Sequence, residues 1–81
     1  MEPFVRPFTY YPNPTHGQLH LRFSPDVTPT QIELYDMQGR LVRSQDNAFE
    51  TLDIGTLSAG TYTMHVTMDD GKTFSDKLVK E

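Results

Sequence analysis

The chain has no cysteine and no tryptophan, and its 7 Lys and Arg are outnumbered by 11 Asp and Glu. Without cysteine no disulfide supplements the core, and the compartment stays undecided, because extracellular domains without disulfides exist. The formal net charge of −4 argues against nucleic-acid binding, which needs a cationic footprint to displace counterions. It argues equally against adsorption to an anionic membrane face. No apolar run approaches the roughly 18–20 residues of a helical membrane span. The opening Met1-Glu2-Pro3-Phe4 has neither the charged nor the apolar region of a secretory leader. The sequence therefore reads as a piece of a longer exported protein, in preference to a cytosolic protein in its own right. Apolar residues are sparse, at 36%, with a mean hydropathy of −0.54.

What apolar residues there are follow a pattern, which points to a thin ordered core and not to disorder. The 81 residues make one domain, of a size that buries about 60–65% of the surface its unfolded chain exposes. Pro3, Pro7, Pro12, Pro14, Pro25 and Pro29 all fall early, and Gly39, Gly55, Gly60 and Gly71 follow after Gly17. Residues 1–9 read as an extended linker, ahead of a domain at 10–81. No window holds an apolar 3.6 period, so little or no helix is expected.

Alternation predicts the strands. Phe8–Tyr11 is short and ends at Pro12; Gln18–Phe23 sets Leu19, Leu21 and Phe23 against His20 and Arg22. Thr30–Tyr35 turns Ile32 and Leu34 inward, while Arg40–Gln45 leaves Leu41 and Val42 as rivals for the inward face. Phe49–Ile54 buries Leu52 and Ile54. Thr61–Met68 is the strongest, with Tyr62, Met64, Val66 and Met68 on one face. In Lys72–Lys80 the alternation slips between Phe74 and Leu78-Val79, which predicts a bulge. Asp36-Met37-Gln38-Gly39 and Asp69-Asp70-Gly71 suit type I turns closed by a left-handed glycine. About seven short strands with turn signals between them predict an all-β, Ig-like antiparallel β-sandwich, with a closed barrel as second choice.

Catalytic signatures are missing. No serine sits in a nucleophile elbow: Ser58 lies in a glycine turn and Ser75 on the last strand. His20 and His65 could pair across two strands as metal ligands, but no third ligand has recognisable spacing. Turn chemistry accounts for Asp69, Asp70 and Asp36. No enzyme activity, cofactor or metal is expected. In Pro12-Asn13-Pro14 the prolines fix φ and hold their predecessors extended, giving a rigid kink where the linker meets the domain. Leu57 and Tyr62 flank a tight turn at Gly60 and are expected to plug the core. Arg40, at a turn exit, can pair with Asp36.

Four segments in order carry a family resemblance: Tyr11-Pro12-Asn13-Pro14-Thr15-His16-Gly17, Leu34-Tyr35-Asp36-Met37-Gln38-Gly39-Arg40-Leu41-Val42, Leu57-Ser58-Ala59-Gly60-Thr61-Tyr62, and Lys77-Leu78-Val79-Lys80-Glu81. Together they resemble the type A C-terminal sorting domain of type IX secretion cargo, from about residue 8 to 81. Met37 and Gln38 vary a loose position, and Asp76 sets an acid beside the usually basic last stretch. The resemblance implies a non-catalytic address. It would direct an upstream cargo protein, in transit through the periplasm, across the outer membrane of Bacteroidota-type bacteria to the cell surface or the medium. Its implied partners are the outer-membrane translocon or shuttle protein and a surface sortase-like peptidase that cuts within or before residues 1–9. Lys77, Leu78, Val79, Lys80 and Glu81 are the expected recognition signal. On this expectation Leu78 and Val79 dock in apolar pockets, Lys77 and Lys80 select orientation, and the open strand edge accepts a partner strand or a second copy. A carbohydrate- or protein-binding accessory module is the alternative. It predicts an aromatic cluster drawn from Tyr10, Tyr11 and Tyr35.

Overall fold

The computed structural model describes residues 8–81. Seven strands follow in order: β1 (Phe8–Tyr11), β2 (Gln18–Phe23), β3 (Pro29–Tyr35), β4 (Leu41–Gln45), β5 (Thr51–Asp53), β6 (Gly60–Met68) and β7 (Thr73–Lys80). They form a three-stranded sheet, β1-β2-β5, and a four-stranded sheet, β4-β3-β6-β7, with every pairing antiparallel. Among the described residues there is no helix. The expected all-β sandwich is the architecture observed.

Alternation decides what enters the space between the sheets, because successive strand residues point to opposite faces. Leu19, Leu21 and Leu52 enter from one sheet; Ile32, Leu34, Tyr62, Met64, Val66, Met68 and Leu78 enter from the other. Phe8 belongs to this core at 1% exposure and meets Phe23 and Phe74 at ring-centroid distances of 5.7 and 6.2 Å. Residues 8 and 9, expected in the linker, thus open the first strand. Residues 1–7 of that linker lie outside the described residues. The kink expected at the domain entrance sits inside the fold, between β1 and β2.

The predicted bulge in the last strand is absent. β6 and β7 pair without a break from Gly60↔Lys80 to Thr67↔Thr73. Phe74, Asp76, Leu78 and Lys80 therefore share one face, and Asp76 is the charged residue that obscures the alternation. The register shifts lie elsewhere: Val42 of β4 is the extra residue opposite Leu34/Tyr35, and β3 shifts at Pro29/Gln31 against β6. The first of these resolves the rivalry in β4: Val42 packs against the core and Leu41 is exposed.

The turns follow their residue chemistry. Gly39 takes φ +83°, where a side chain is disfavoured, and its N–H donates to the Asp36 carbonyl at 3.0 Å. In the turn from β6 to β7 the Gly71 N–H donates to the Met68 carbonyl at 3.0 Å, and the Asp70 carboxylate accepts from the Lys72 N–H at 3.0 Å.

Candidate functional site

The segment between β1 and β2 lies along the outer edge of β7 and closes it. Such an edge exposes both the N–H and the C=O of every second residue, here Lys77, Val79 and Glu81. A carboxamide carries both a donor and an acceptor, so a single Asn can imitate a pairing strand. Asn13 does this: its Oδ1 accepts from the Val79 N–H at 3.0 Å and its Nδ2 donates to the Lys77 carbonyl at 3.2 Å. The Tyr10 hydroxyl donates to the same carbonyl at 3.0 Å. Backbone pairing then takes over. The Thr15 N–H donates to the Val79 carbonyl at 2.9 Å, and the Glu81 N–H donates to the Thr15 carbonyl at 2.8 Å. Pro12 and Pro14, both preceded by cis peptide bonds, flank Asn13 and bring no N–H of their own.

Thr15 anchors this latch. It is fully buried, and its hydroxyl donates to the Gln18 carbonyl at 3.2 Å while accepting from the Gly17 N–H at 3.3 Å. The Gly17 carbonyl in turn accepts from the Ile54 N–H at 2.7 Å. At the rim, His16 Nε2 lies 3.7 Å from Glu81 Oε1, with both side chains largely exposed.

The tail residues are divided by strand geometry. Leu78 is fully buried in the core, so in the folded domain it is not available to dock elsewhere. Lys77 and Val79 face outward from the four-stranded sheet, whereas Lys80 shares the face of Leu78. Lys77 and Lys80, three apart in a strand, fall on opposite faces and make no common cationic patch. The expectation that Leu78 docks beside Val79, and that both lysines steer one partner, is corrected on these grounds. The open edge expected for strand addition is likewise occupied from Lys77 to Glu81.

The other two segments join the same end of the molecule. Asp36 Oδ1 accepts from the Arg40 and Gln38 N–H groups at 3.0 and 2.9 Å, and its Oδ2 pairs with Arg40 Nε at 2.8 Å. The Arg40 N–H is the main cause holding the Asp36 carboxyl below its ordinary range. The Arg40 guanidinium and the Gln38 N–H add to it, against the opposing pull of burial. The Tyr62 hydroxyl donates to the Ser58 carbonyl at 2.5 Å and braces the turn before β6. In that turn Gly60 takes φ +154°, a region essentially reserved for glycine. Asp36, Arg40, Leu57, Ser58, Gly60 and Tyr62 line one open cleft. Tyr35, Thr63, His65 and Lys77 line a neighbouring shallow groove. The first segment thus bonds to the fourth, the second shares a groove with Lys77 of the fourth, and the second and third line one cleft.

The three tyrosines do not gather into one aromatic platform. Tyr10 is tied to Lys77, Tyr11 stacks on His20 at 5.3 Å, and Tyr35 meets the edge of His65 at 5.1 Å. His20 lies on the three-stranded sheet and His65 on the four-stranded one, so the cross-strand histidine pair is not made. Burial, followed by the neighbouring Glu33 carboxylate, raises the Tyr35 phenol above its ordinary value. Glu33, His65 and Ser75 share a cross-strand row. There the Ser75 hydroxyl meets His65 Nδ1 at 3.3 Å, whereas a nucleophile relay sets serine on Nε2 and the acid on Nδ1.

Tyr10 and Thr15 escape sequence reasoning, and Asn13 is noticed only as a local turn former. Their partners lie more than sixty residues away, and no local pattern marks that pairing.

In class, the chain is an Ig-like β-sandwich whose sequence motifs converge around its own last strand. The family described as secretion system C-terminal sorting domain matches residues 9–81, and the chain belongs to that family, the sorting domains of type IX secretion. No curated protein matches the chain. Membership implies attachment to an upstream cargo, an encounter with the type IX machinery, and export across the outer membrane.

Proposed function

We propose that this domain is a non-catalytic, folded address that carries an attached cargo from the periplasm through the type IX outer-membrane translocon. A surface sortase-like peptidase then cuts upstream of β1 and releases the cargo or links it to the surface. The observation that carries this reading is the family match over residues 9–81, supported by the convergence of all four motif segments on one end of the sandwich. In this reading Lys77, Val79, Lys80 and Glu81 give the tail its exposed chemistry, and Leu78 fixes the tail in place from below. Partners are a translocon or shuttle protein, the peptidase and the cargo itself.

The test is a reporter with a periplasmic signal at its N-terminus and residues 1–81 at its C-terminus, produced in a type IX-competent strain and in a secretion-deficient one. Surface or medium reporter only in the competent strain is the expected result. Periplasmic retention in both strains, with the domain folded, rejects the reading. Deleting residues 77–81 is a poor probe of the signal, because it also removes Leu78 from the core. Point substitutions at Lys77, Val79 and Lys80 separate recognition from folding.

A further inference from the structure

We propose that the machinery reads the tail through its face and not its edge. The site is the groove where Tyr35, Thr63 and Lys77 lie in one row across β3, β6 and β7, and the occupant is a partner segment presenting a carboxylate close to an apolar side chain. The inference rests on the sorting reading above and deepens it.

Three observations lead here. The edge of the tail is occupied: Lys77 C=O, Val79 N–H, Val79 C=O and Glu81 N–H all bond to Tyr10, Asn13 or Thr15, so strand addition there has to displace the latch first. The two-residue period then divides the remaining side chains, leaving Lys77 and Val79 together on the outer face. Last, strand register places that face against a second motif. Tyr35 pairs with Thr63, and Thr63 pairs with Lys77. Residues far apart in sequence thus become neighbours in a row, and nothing in the core requires either of them.

The chemistry of the groove names its occupant. Its lining includes one carboxylate, Asp36, and that group is engaged by Arg40 and by two turn amides. Among the described residues the Lys77 ammonium has no ion pair. Among the described residues Lys77 is therefore the cation of this groove without an ion pair, and the Glu33 carboxylate lies at the Tyr35 end of the row. Beside Lys77 stand the Tyr35 ring, held by the edge of His65 at 5.1 Å, and the side chain of Met37, which is 67% exposed. Charge complementarity favours an acidic group at Lys77, and the aromatic and thioether surface favours an apolar one at Tyr35. Two inter-strand steps separate those positions, about 10 Å. An extended peptide covers that distance in about three residues, so the matching segment carries its carboxylate and its apolar side chain about three positions apart.

The experiment uses the same reporter, with residues 1–81, in the competent strain. Lys77→Gln and Tyr35→Ala are expected to lower export about tenfold, the effect of removing one central anchor. Lys77→Arg should retain export, and Arg22→Gln, on the outer surface of the other sheet, should leave it unchanged. Thermal melting of each purified domain checks folding. Lys77 is exposed, so its variants remain readable even if Tyr35→Ala fails to fold. A photocrosslinker at Thr63 is expected to trap an outer-membrane type IX component, identified by mass spectrometry; the same group at His20 should not. Folded Lys77→Gln exported at the wild-type rate overturns the groove while leaving the sorting reading intact. So does an equal loss from Arg22→Gln. Crosslinking of Thr63 chiefly to a second copy of this chain also overturns it and assigns the face to self-association. If the unsubstituted reporter is not exported, the sorting reading itself fails, and this inference with it.

Discussion

The four-stranded sheet has two edges, and they are protected in different ways. β7, eight residues long, is covered along Lys77–Glu81 by the segment from Tyr10 to Thr15. β4, five residues long, pairs only with β3 among the described residues and is interrupted by the bulge at Val42. Both carry a charged residue at an inward-facing position: Arg43 lies opposite Leu34 in β4, and Asp76 lies opposite Met64 in β7. Inward charges, bulges and short length all blunt an edge. The short edge relies on those devices, and the long one has a loop held against it as well. The difference also bears on function, because the covered edge holds the expected signal in one fixed conformation.

The comparison can be broken most directly in the core. Leu78→Ala is expected to cost about 2–5 kcal/mol, the range for a buried leucine. Leu41→Ala, on the exposed side of β4, should stay within about 0.5 kcal/mol. Urea melts of the two variants decide this, and equal losses would show that β7 is no more integrated than β4. A smaller effect is expected from the carboxamides that serve each edge. Asn13→Ala removes two bonds to β7 and should cost about 1–2 kcal/mol, with faster amide exchange at Val79 than at Thr63. Gln45 Nε2, which donates to the Ala48 and Thr51 carbonyls at 2.8 and 2.9 Å, should show a similar cost on Gln45→Ala but leave Val79 exchange unchanged. Removing the Tyr62 hydroxyl with Tyr62→Phe should cost about 1 kcal/mol, read as a lower melting midpoint.

The smallest expected effect is on the β4 side and depends on pH. The folded Asp36 carboxyl is held below its ordinary value of 3.8. Its stabilisation is therefore complete above that value and is lost as pH falls through the lower folded one. The melting difference between the wild type and Asp36→Asn should be constant near neutrality and should close below about pH 4. A difference that persists into strong acid would show that the turn does not need the charge.

Much of the fold was legible because its strands obey a simple parity. Alternation assigns Leu19 and Leu21, Ile32 and Leu34, and Tyr62, Met64, Val66 and Met68 inward, and all are buried. The turn signals put Gly39 and Gly71 in left-handed positions, and both have positive φ. Parity failed where an edge strand carries a charge inward: Asp76 made β7 look bulged, although Phe74, Asp76 and Leu78 keep one phase. Reading that phase through Asp76 would have assigned Leu78 to the core. The latch was not legible at all. It depends on side chains meeting backbone across almost the whole chain, and such pairing leaves no local trace in Pro12-Asn13-Pro14.

The same latch sets a condition on synthesis. Chains are made from the N-terminus at about 5–20 residues per second, so Asn13 and Thr15 emerge long before the strand they hold. A nascent chain halted before Leu78 has neither its core plug nor a partner for its first loop. The latch and the Leu78 contacts can form only once β7 has been made, so the first loop waits for a partner that is the last strand of the domain.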